Sequence, residues 1–228
     1  ALSAWKQFQD TSWALRVNPS SGNLHPTEGY LVIDKIEGKC LLPGVYHYTP
    51  KEHGLELRTE FEFELWNELM EQFPVGSFLV GLSSIHWREA WKYGERSFRY
   101  CQHDIGHAWA ALAISASMLG WKAIILNTIS DEAIAKLLGL NRLNDFEIEE
   151  KETPDLLAVI APLKDTFKSD QSLKQESIQK IENGKWFGKA NKLNDEYYPW
   201  DIIDRVSVAC KKQKSDCDLE KLKPILFS

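Results

Sequence analysis

The 228-residue chain is poor in cysteine. Its four, Cys40, Cys101, Cys210 and Cys217, form no C-x-x-C pair and no dense pattern. That excludes a disulfide framework and fits reduced thiols in a cytoplasmic protein. The six His make no H-E-x-x-H. His103 and His107 are four apart, but Asp104 and Gly106 between them mark a helix start, so no metal is expected. No apolar run reaches the ~18 residues of a membrane span. The opening ALSAWKQFQD lacks the basic and apolar regions of a secretory signal. Positive charge is not in surplus: the formal net charge is −6, which argues against nucleic acid as the main partner. The one aromatic and basic stretch, Trp87–Tyr100, carries Glu89 and Glu95 against its cations. There is no G-x-G-x-x-G, hence no sign of a separate nicotinamide-binding domain, and no internal repeat.

What is present is a core. Apolar residues make up 43% of the chain, with nine Trp and ten Phe. That suits one domain with or without an appendage. We divide it into a core over 1–162 and, over 163–228, a polar excursion with a C-terminal segment docking on the same domain.

The pattern predicts a short helix over Leu2–Phe8, from the spacing of Leu2, Trp5 and Phe8. Tyr30–Ile36 and Cys40–Tyr48 read as antiparallel strands, with a turn before Leu55–Arg58. Phe61–Phe73 is helical and ended by Pro74. Ser77–Ser83 is a strand or a buried helical turn. His86–Tyr100 is helical, with Gly94 a break. Asp104–Leu119 is the clearest helix, with Asp104 as N-cap and Gly120 at C′. It is apolar nearly all round, as a helix in a core or a dimer interface is. Trp121–Leu126 is a strand. Ser130 caps a helix that ends at Gly139. Leu156–Ala161 is a buried strand, and Lys164–Asn183 an exposed loop or surface helix.

The stretch Arg16–Tyr30, RVNPSSGNLHPTEGY, holds the densest chemistry. Pro19 fixes its own φ and biases Asn18 to an extended form. Ser20, Ser21 and Asn23 supply short polar side chains, and Gly22 permits φ > 0 or close approach to a ligand. Arg16 offers a fork for phosphate or carboxylate. By composition alone this is equally a loop that caps its own backbone.

Pro19-Ser20-Ser21-Gly22-Asn23-Leu24-His25-Pro26 resembles the P-S-x-x-N-x-Q-P signature of flavin-dependent nitroreductases. More closely, it resembles the R-x-x-P-S-x-G-x-x-x-P-x-E-x-Y form of their SagB-type branch, which includes the azoline oxidases. KYGERSFRY at Lys92–Tyr100 and DIGHAWAALAISASMLG at Asp104–Gly120 agree in order and spacing, so the resemblance covers roughly Leu2–Pro162. It implies an α+β fold with a mainly antiparallel central sheet flanked by helices. It implies an FMN-dependent oxidoreductase with Arg16, Pro19, Ser20, Ser21 and Asn23 as flavin contacts, and with Asn127 and Thr128 near flavin N5. By composition Asn127 and Thr128 are equally an ordinary strand-to-helix connection. NAD(P)H is a possible electron donor, the substrate is a small molecule or a peptide, and the assembly is a homodimer or a pseudo-dimer with a second domain. The usual R-R-S-x-R segment that holds the flavin phosphate is missing. Either the chain is a fragment or the phosphate is held differently. The alternative is a non-catalytic half of a duplicated nitroreductase.

Lys92 and Tyr93 match the Lys-Tyr pair that azoline oxidases use beside the flavin. Removing a hydride from an azoline also requires removing a proton. A Lys does this only when partly neutral, through burial or a nearby cation such as Arg96. Tyr93 would orient the substrate through its hydroxyl. On residue type alone the pair is an ordinary surface Lys with its stem on an aromatic face.

Overall fold

Residues that alternate between two apolar faces build the centre of the molecule. A computed structural model describes residues 4–15, 17–39, 42–147, 150–167, 171–192 and 195–214. The chain runs through β1 (Ala4–Phe8), β2 (Thr11–Leu15), β3 (Thr27–Ile33), β4 (Gly44–Thr49), β5 (Gly54–Glu60), α1 (Phe63–Met70) and β6 (Phe78–Ser84). It continues through α2 (His86–Tyr93), α3 (Ser97–Met118), β7 (Trp121–Ile125), α4 (Asp131–Leu138), β8 (Thr153–Pro162), α5 (Gln175–Glu182) and α6 (Asp201–Ala209). Six strands form one sheet in the order β5-β4-β3-β6-β8-β7. Each neighbouring pair is antiparallel. This is the α+β architecture expected from the sequence.

The central strands are buried on both faces, so they read as near-continuous apolar runs. Leu79 of β6 and Leu157 and Val159 of β8 face α1, α4 and α5, packing with Trp66, Leu69, Ile134, Leu137 and Ile178. Leu82, Leu156 and Ala158 face α3, meeting Ile105, Ala108 and Leu112. Fully burying one such side chain contributes ~1.5–3 kcal/mol, which makes β6 and β8 the spine of the domain.

Two expectations are corrected. Leu2–Phe8 is not a helix: Ala4–Phe8 pairs with Thr11–Leu15 in a separate hairpin, and Leu2 lies outside the described residues. A hydrophobic triplet at helical spacing is too short to outweigh a strand partner one turn away. The long helix begins at Ser97, not Asp104. Asp104 is an interior residue whose carboxylate is taken up by another part of the chain, so it does not compete for its own backbone. The stretch over Lys164–Asn183 holds α5, a surface helix as one of its two readings had it, with Ile178 and Ile181 buried on the inner face. Likewise α4 is as read: Ser130 Oγ accepts from Ala133 N at 3.2 Å, and Gly139 follows in the left-handed region.

Pairing also brings distant loops to one end of the sheet. Thr27 opens β3 opposite Ser84 at the end of β6, and Ser84 lies opposite Thr153 at the start of β8. Leu126, just past β7, donates its N–H to Leu157 O at 2.9 Å. The loop before β3, the start of α2 and the turn after β7 therefore share that end.

Candidate functional site

The loop before β3 is shaped by strained backbone and held by one carboxylate. Gly22 has φ 60, and two non-glycine residues beside it, Asn23 (φ 60) and His25 (φ 52), also lie in the left-handed region. Such outliers persist only when surroundings over-determine them, and they cluster at functional sites. Here the surroundings are visible. Asp104, in the middle of α3 and buried, accepts from Ser20 Oγ at 2.6 Å, from Ser21 N at 3.1 Å and from Ser21 Oγ at 3.3 Å. Ser20 Oγ in turn accepts from His25 N at 2.8 Å. Asn23 Oδ1 lies 2.8 Å from His25 Nε2.

Helix α2 flanks the same loop. Arg88 Nη1 donates to His25 O at 2.8 Å and to Glu28 Oε1 at 2.5 Å. One turn further on, Lys92 and Tyr93 reach the loop itself. A β-carbon at Gly22 would stand 2.6 Å from Tyr93 Oη and 2.8 Å from Lys92 Nζ. The backbone comes this close to both groups because residue 22 is glycine. Lys92 is exposed and Tyr93 half-buried. Tyr93 is braced edge-on by Tyr100, ring centroids 4.6 Å apart. Helix α2 ends at Gly94, whose positive φ of 57 turns the chain into a short 3-10 segment before α3.

Glu28 and Tyr30, the P-x-E-x-Y part of the motif, turn inward. Glu28 meets Arg88 and, at 2.8 Å, His47 Nε2; His47 Nδ1 lies 2.9 Å from Glu56. Burial pulls the His47 pKa down, and the hydrogen bonds to Glu28 and Glu56 more than offset it, so it is raised. Tyr30 donates to Glu152 at 2.9 Å, and Ser83 donates to the same oxygen at 2.6 Å. Burial, followed by the charge of Glu28, pushes the Glu152 carboxyl up. These contacts bind β3, β4, β6, β8 and α2 behind the loop. Beside them, between β3 and α3, opens a largely apolar cavity of about 620 Å³, with Asn18, Glu28, Tyr30, Tyr48 and His53 as polar members of its wall.

The structure thus brings Pro19, Ser20, Ser21, Asn23, Lys92 and Tyr93 together. Asn127 and Thr128 stand at the same end of the sheet, past β7, where Thr128 Oγ1 donates to Gln171 O at 3.5 Å. Arg16 lies outside the described residues. His103 and His107 are exposed on α3, and no group of three or more His, Cys, Asp or Glu fit for a metal occurs among the described residues. Sequence reasoning missed Asp104 as the anchor of the loop, and Arg88. The signal for Asp104 was an acidic residue next to the apolar run that follows it. The signal for Arg88 was its position one turn before Lys92.

Residues 6–148 match the Nitroreductase family. The chain is 27% identical over 124 residues to the nitroreductase-family protein MJ1384 of Methanocaldococcus jannaschii, covering 53% of this chain and 62% of that one. It is 36% identical over 112 residues to the trifolitoxin-processing protein TfxB of Rhizobium leguminosarum bv. trifolii, covering 45% of this chain and 29% of that one. The matches thus span less than two thirds of either curated relative. A nitroreductase structure from Anabaena variabilis aligns at TM-score 0.59 and 21% identity, covering 93% of this chain and 40% of that one. The E. coli microcin synthetase McbBCD complex with truncated pro-MccB17 bound aligns at TM-score 0.51 and 21% identity, over 66% of this chain and 57% of that one. At these identities the structural likeness is one of fold.

Proposed function

The chain belongs to the nitroreductase family, and from that premise we propose that it is an FMN-dependent oxidoreductase of the SagB-type branch. In this reading it moves a hydride between bound flavin and a small-molecule or peptide substrate, with NAD(P)H as a possible electron donor. One observation carries the reading: Lys92 Nζ and Tyr93 Oη meet the glycine of the strained motif loop. An ammonium, a phenol and the Asn23 amide around exposed loop backbone are a donor set that fits a flat ring edged with carbonyl and nitrogen acceptors and carrying an anionic tail. Arg16, Pro19, Ser20, Ser21 and Asn23 would hold the flavin, with Asn127 and Thr128 from the turn after β7. Ser20, already bonded on both sides, would act by fixing the loop's shape. When bound, FMN supplies the hydride chemistry. Lys92 takes or returns the proton, and Tyr93 orients the substrate. Similarity to the trifolitoxin-processing protein favours a peptide substrate.

The site is completed, in this reading, by a second copy or a second unit of a parent chain. Its support is the outer face of α3, where Ile114, Met118 and Leu119 are 60%, 74% and 76% exposed. A row of large apolar side chains of that kind marks an interface. A second reading, a flavin-free half of a two-unit protein, draws on the 40% of the Anabaena chain that the match covers. The two separate on one measurement. Purified protein carrying FMN near one per chain, or taking it up on titration, supports the first. Protein that is colourless and takes up no added FMN overturns the first in favour of the second.

A further inference from the structure

Glu89 occupies the first turn of α2, three residues before Lys92 and four before Tyr93, so it shares their face of the helix. Its side chain is 0% exposed. Both carboxylate oxygens are buried without a hydrogen-bond partner among the described residues. An ionised carboxylate buried without a partner is among the most unfavourable states a side chain can take, so such a group takes up a proton far more readily than an ordinary Glu does. The titratable and charged groups acting on it come from two elements: Lys92 on its own helix, Asp104 and Cys101 on α3. Burial and the charge of Asp104 push its pKa up to about 7, while Lys92 pulls it down. The Cys101 thiol, fully buried, is itself pushed up by burial and by Glu89, so it stays protonated and offers no countercharge. Asp104 is the same carboxylate that holds Ser20 and Ser21. Glu89 is therefore coupled to both halves of the site while touching no exposed surface.

We propose that Glu89 is the proton store of the Lys92–Tyr93 pair, accepting the proton that Lys92 removes from substrate and later returning it through Lys92 to solvent. The inference rests on the reading of Lys92 as the base. The step moves one proton once the flexible Lys92 side chain turns from Gly22 to Glu89, with which it makes no hydrogen bond in this structure: an N–H bond of the Lys92 ammonium breaks, an O–H bond on the Glu89 carboxylate forms, and both groups end neutral. Lys92 is then ready to act again. The electrons of the substrate's hydride go to the flavin and take no part in this transfer. Because Glu89 acts through Lys92, it is a positioning residue.

Two measurements test this. The first needs no flavin: carbon-13 NMR of the Glu89 carboxyl against pH in the unliganded protein. We expect a midpoint near 7 that rises in Lys92→Ala, where the favourable cation is gone, and stays in Lys92→Arg. A midpoint that ignores Lys92→Ala overturns the proposal. The second follows turnover of the flavin-loaded protein against pH in Glu89→Gln, with folding checked by circular dichroism. The expected loss is on the order of 10²-fold, and the inflection near neutral pH disappears. If Glu89→Gln keeps the wild-type rate and profile while Lys92→Ala is inactive, the store is wrong and Lys92 stands as base. If Lys92→Ala keeps full turnover, the reading of Lys92 fails and the proposal with it.

Discussion

The hydroxyl of Ser20 donates to the carboxylate of Asp104 at 2.6 Å, across 84 positions of sequence. That contact fastens the loop before β3 to the middle of α3. With Ser21 N and Ser21 Oγ on the same carboxylate, it explains how a loop with φ near 60 at Gly22 and Asn23 holds one shape. It also explains why an acidic residue sits buried inside α3.

Asp104→Asn tests this clamp. The amide keeps the volume and one acceptor but turns NH2 donors toward groups that are themselves donors. Leaving such partners unsatisfied at a buried site costs roughly 1–3 kcal/mol. The expected outcome is a loss of that size in urea unfolding, with FMN affinity falling further because the loop is released. A variant with unchanged flavin affinity shows that the loop keeps its form without Asp104.

Gly22→Ala is the matching test on the loop side. At φ 60 an L-residue costs about 1–2 kcal/mol, and the new methyl would fall 2.6 Å from Tyr93 Oη and 2.8 Å from Lys92 Nζ. Both ends are flexible, so the fold survives and the side chains move aside. We expect turnover to fall more than stability does. Equal kcat/KM in Gly22→Ala and wild type shows that the approach of Lys92 and Tyr93 to residue 22 has no part in the reaction.

Much of this was legible in the sequence, and the failures have physical causes. The run at Leu156–Ala161 marked one spine strand, while Ser77–Ser83 stayed between a strand and a buried helical turn, because burial on both faces removes the polar alternation that tells the two apart. Ser130 and Gly139 marked the ends of α4, because capping is local chemistry. The β1–β2 hairpin was hidden because a strand is fixed by its partner rather than by its own spacing. The clamp was hidden because Ser20 and Asp104 pair only after folding. Their hydroxyl and carboxylate look, from sequence, like a flavin contact and a helix cap.

Stability should fall as pH rises, and Glu89 and His47 are two of the groups that set where; Asp155, pushed up to about 7 by burial, and Glu152, also raised by burial, act in the same direction, and His86, pushed down to about 4 by burial, acts against them. Glu89 has a folded pKa of about 7 against an ordinary 4.5. A raised folded value contributes stability that is full below the unfolded pKa and is lost as pH climbs through the folded one. The Glu89 contribution therefore declines between about 4.5 and 7, by on the order of 2 kcal/mol. His47, also raised, adds a loss that starts at its ordinary pKa of 6.5 and ends above it. Urea midpoints measured across that range should drop in wild type. They should drop less steeply over the lower part of it in Glu89→Gln, where the Asp155 loss remains, and the variant is expected to be the more stable protein at alkaline pH. A wild-type profile unchanged by Glu89→Gln shows that Glu89 titrates as it does in the unfolded chain.

Arg88→Ala separates position from chemistry. Arg88 holds His25 O and Glu28 from α2, the helix that carries Lys92 and Tyr93. Its loss removes a charge-assisted bond worth roughly 1.5–3 kcal/mol, while Glu28 keeps its contact with His47. Lys92 and Tyr93 stay intact but α2 is free to shift against the loop. The expected result is a lower kcat with flavin still bound, partly restored by Lys at position 88. Wild-type kcat in Arg88→Ala means that α2 is placed by its other contacts.

The decisive variants are Lys92→Ala and Tyr93→Phe. Lys92 is exposed and makes no ion pair among the described residues. By itself that describes a solvated surface lysine. What distinguishes it is that its ammonium and the neighbouring phenol converge on one glycine of a strained loop, with a buried carboxyl one turn behind. Positioned acid–base groups contribute about 10²–10⁴-fold to rate, whereas a solvated lysine contributes nothing to it. Lys92→Ala should therefore lose on the order of 10²-fold in turnover with FMN content unchanged. Tyr93→Phe, which keeps the ring against Tyr100 but removes the hydroxyl, should lose turnover while folding normally. Tyr93→Ala should in addition be destabilised, because the edge-on contact with Tyr100 goes with it. Assays with a peptide azoline, a quinone and a nitroaromatic then sort the substrate class. A proton-dependent oxidation such as that of an azoline should suffer in both variants. Reduction of a quinone should suffer less, since the hydride acceptor can draw its proton from water. Full activity toward all three in both variants, with flavin retained, would leave Lys92 and Tyr93 as structural residues alone.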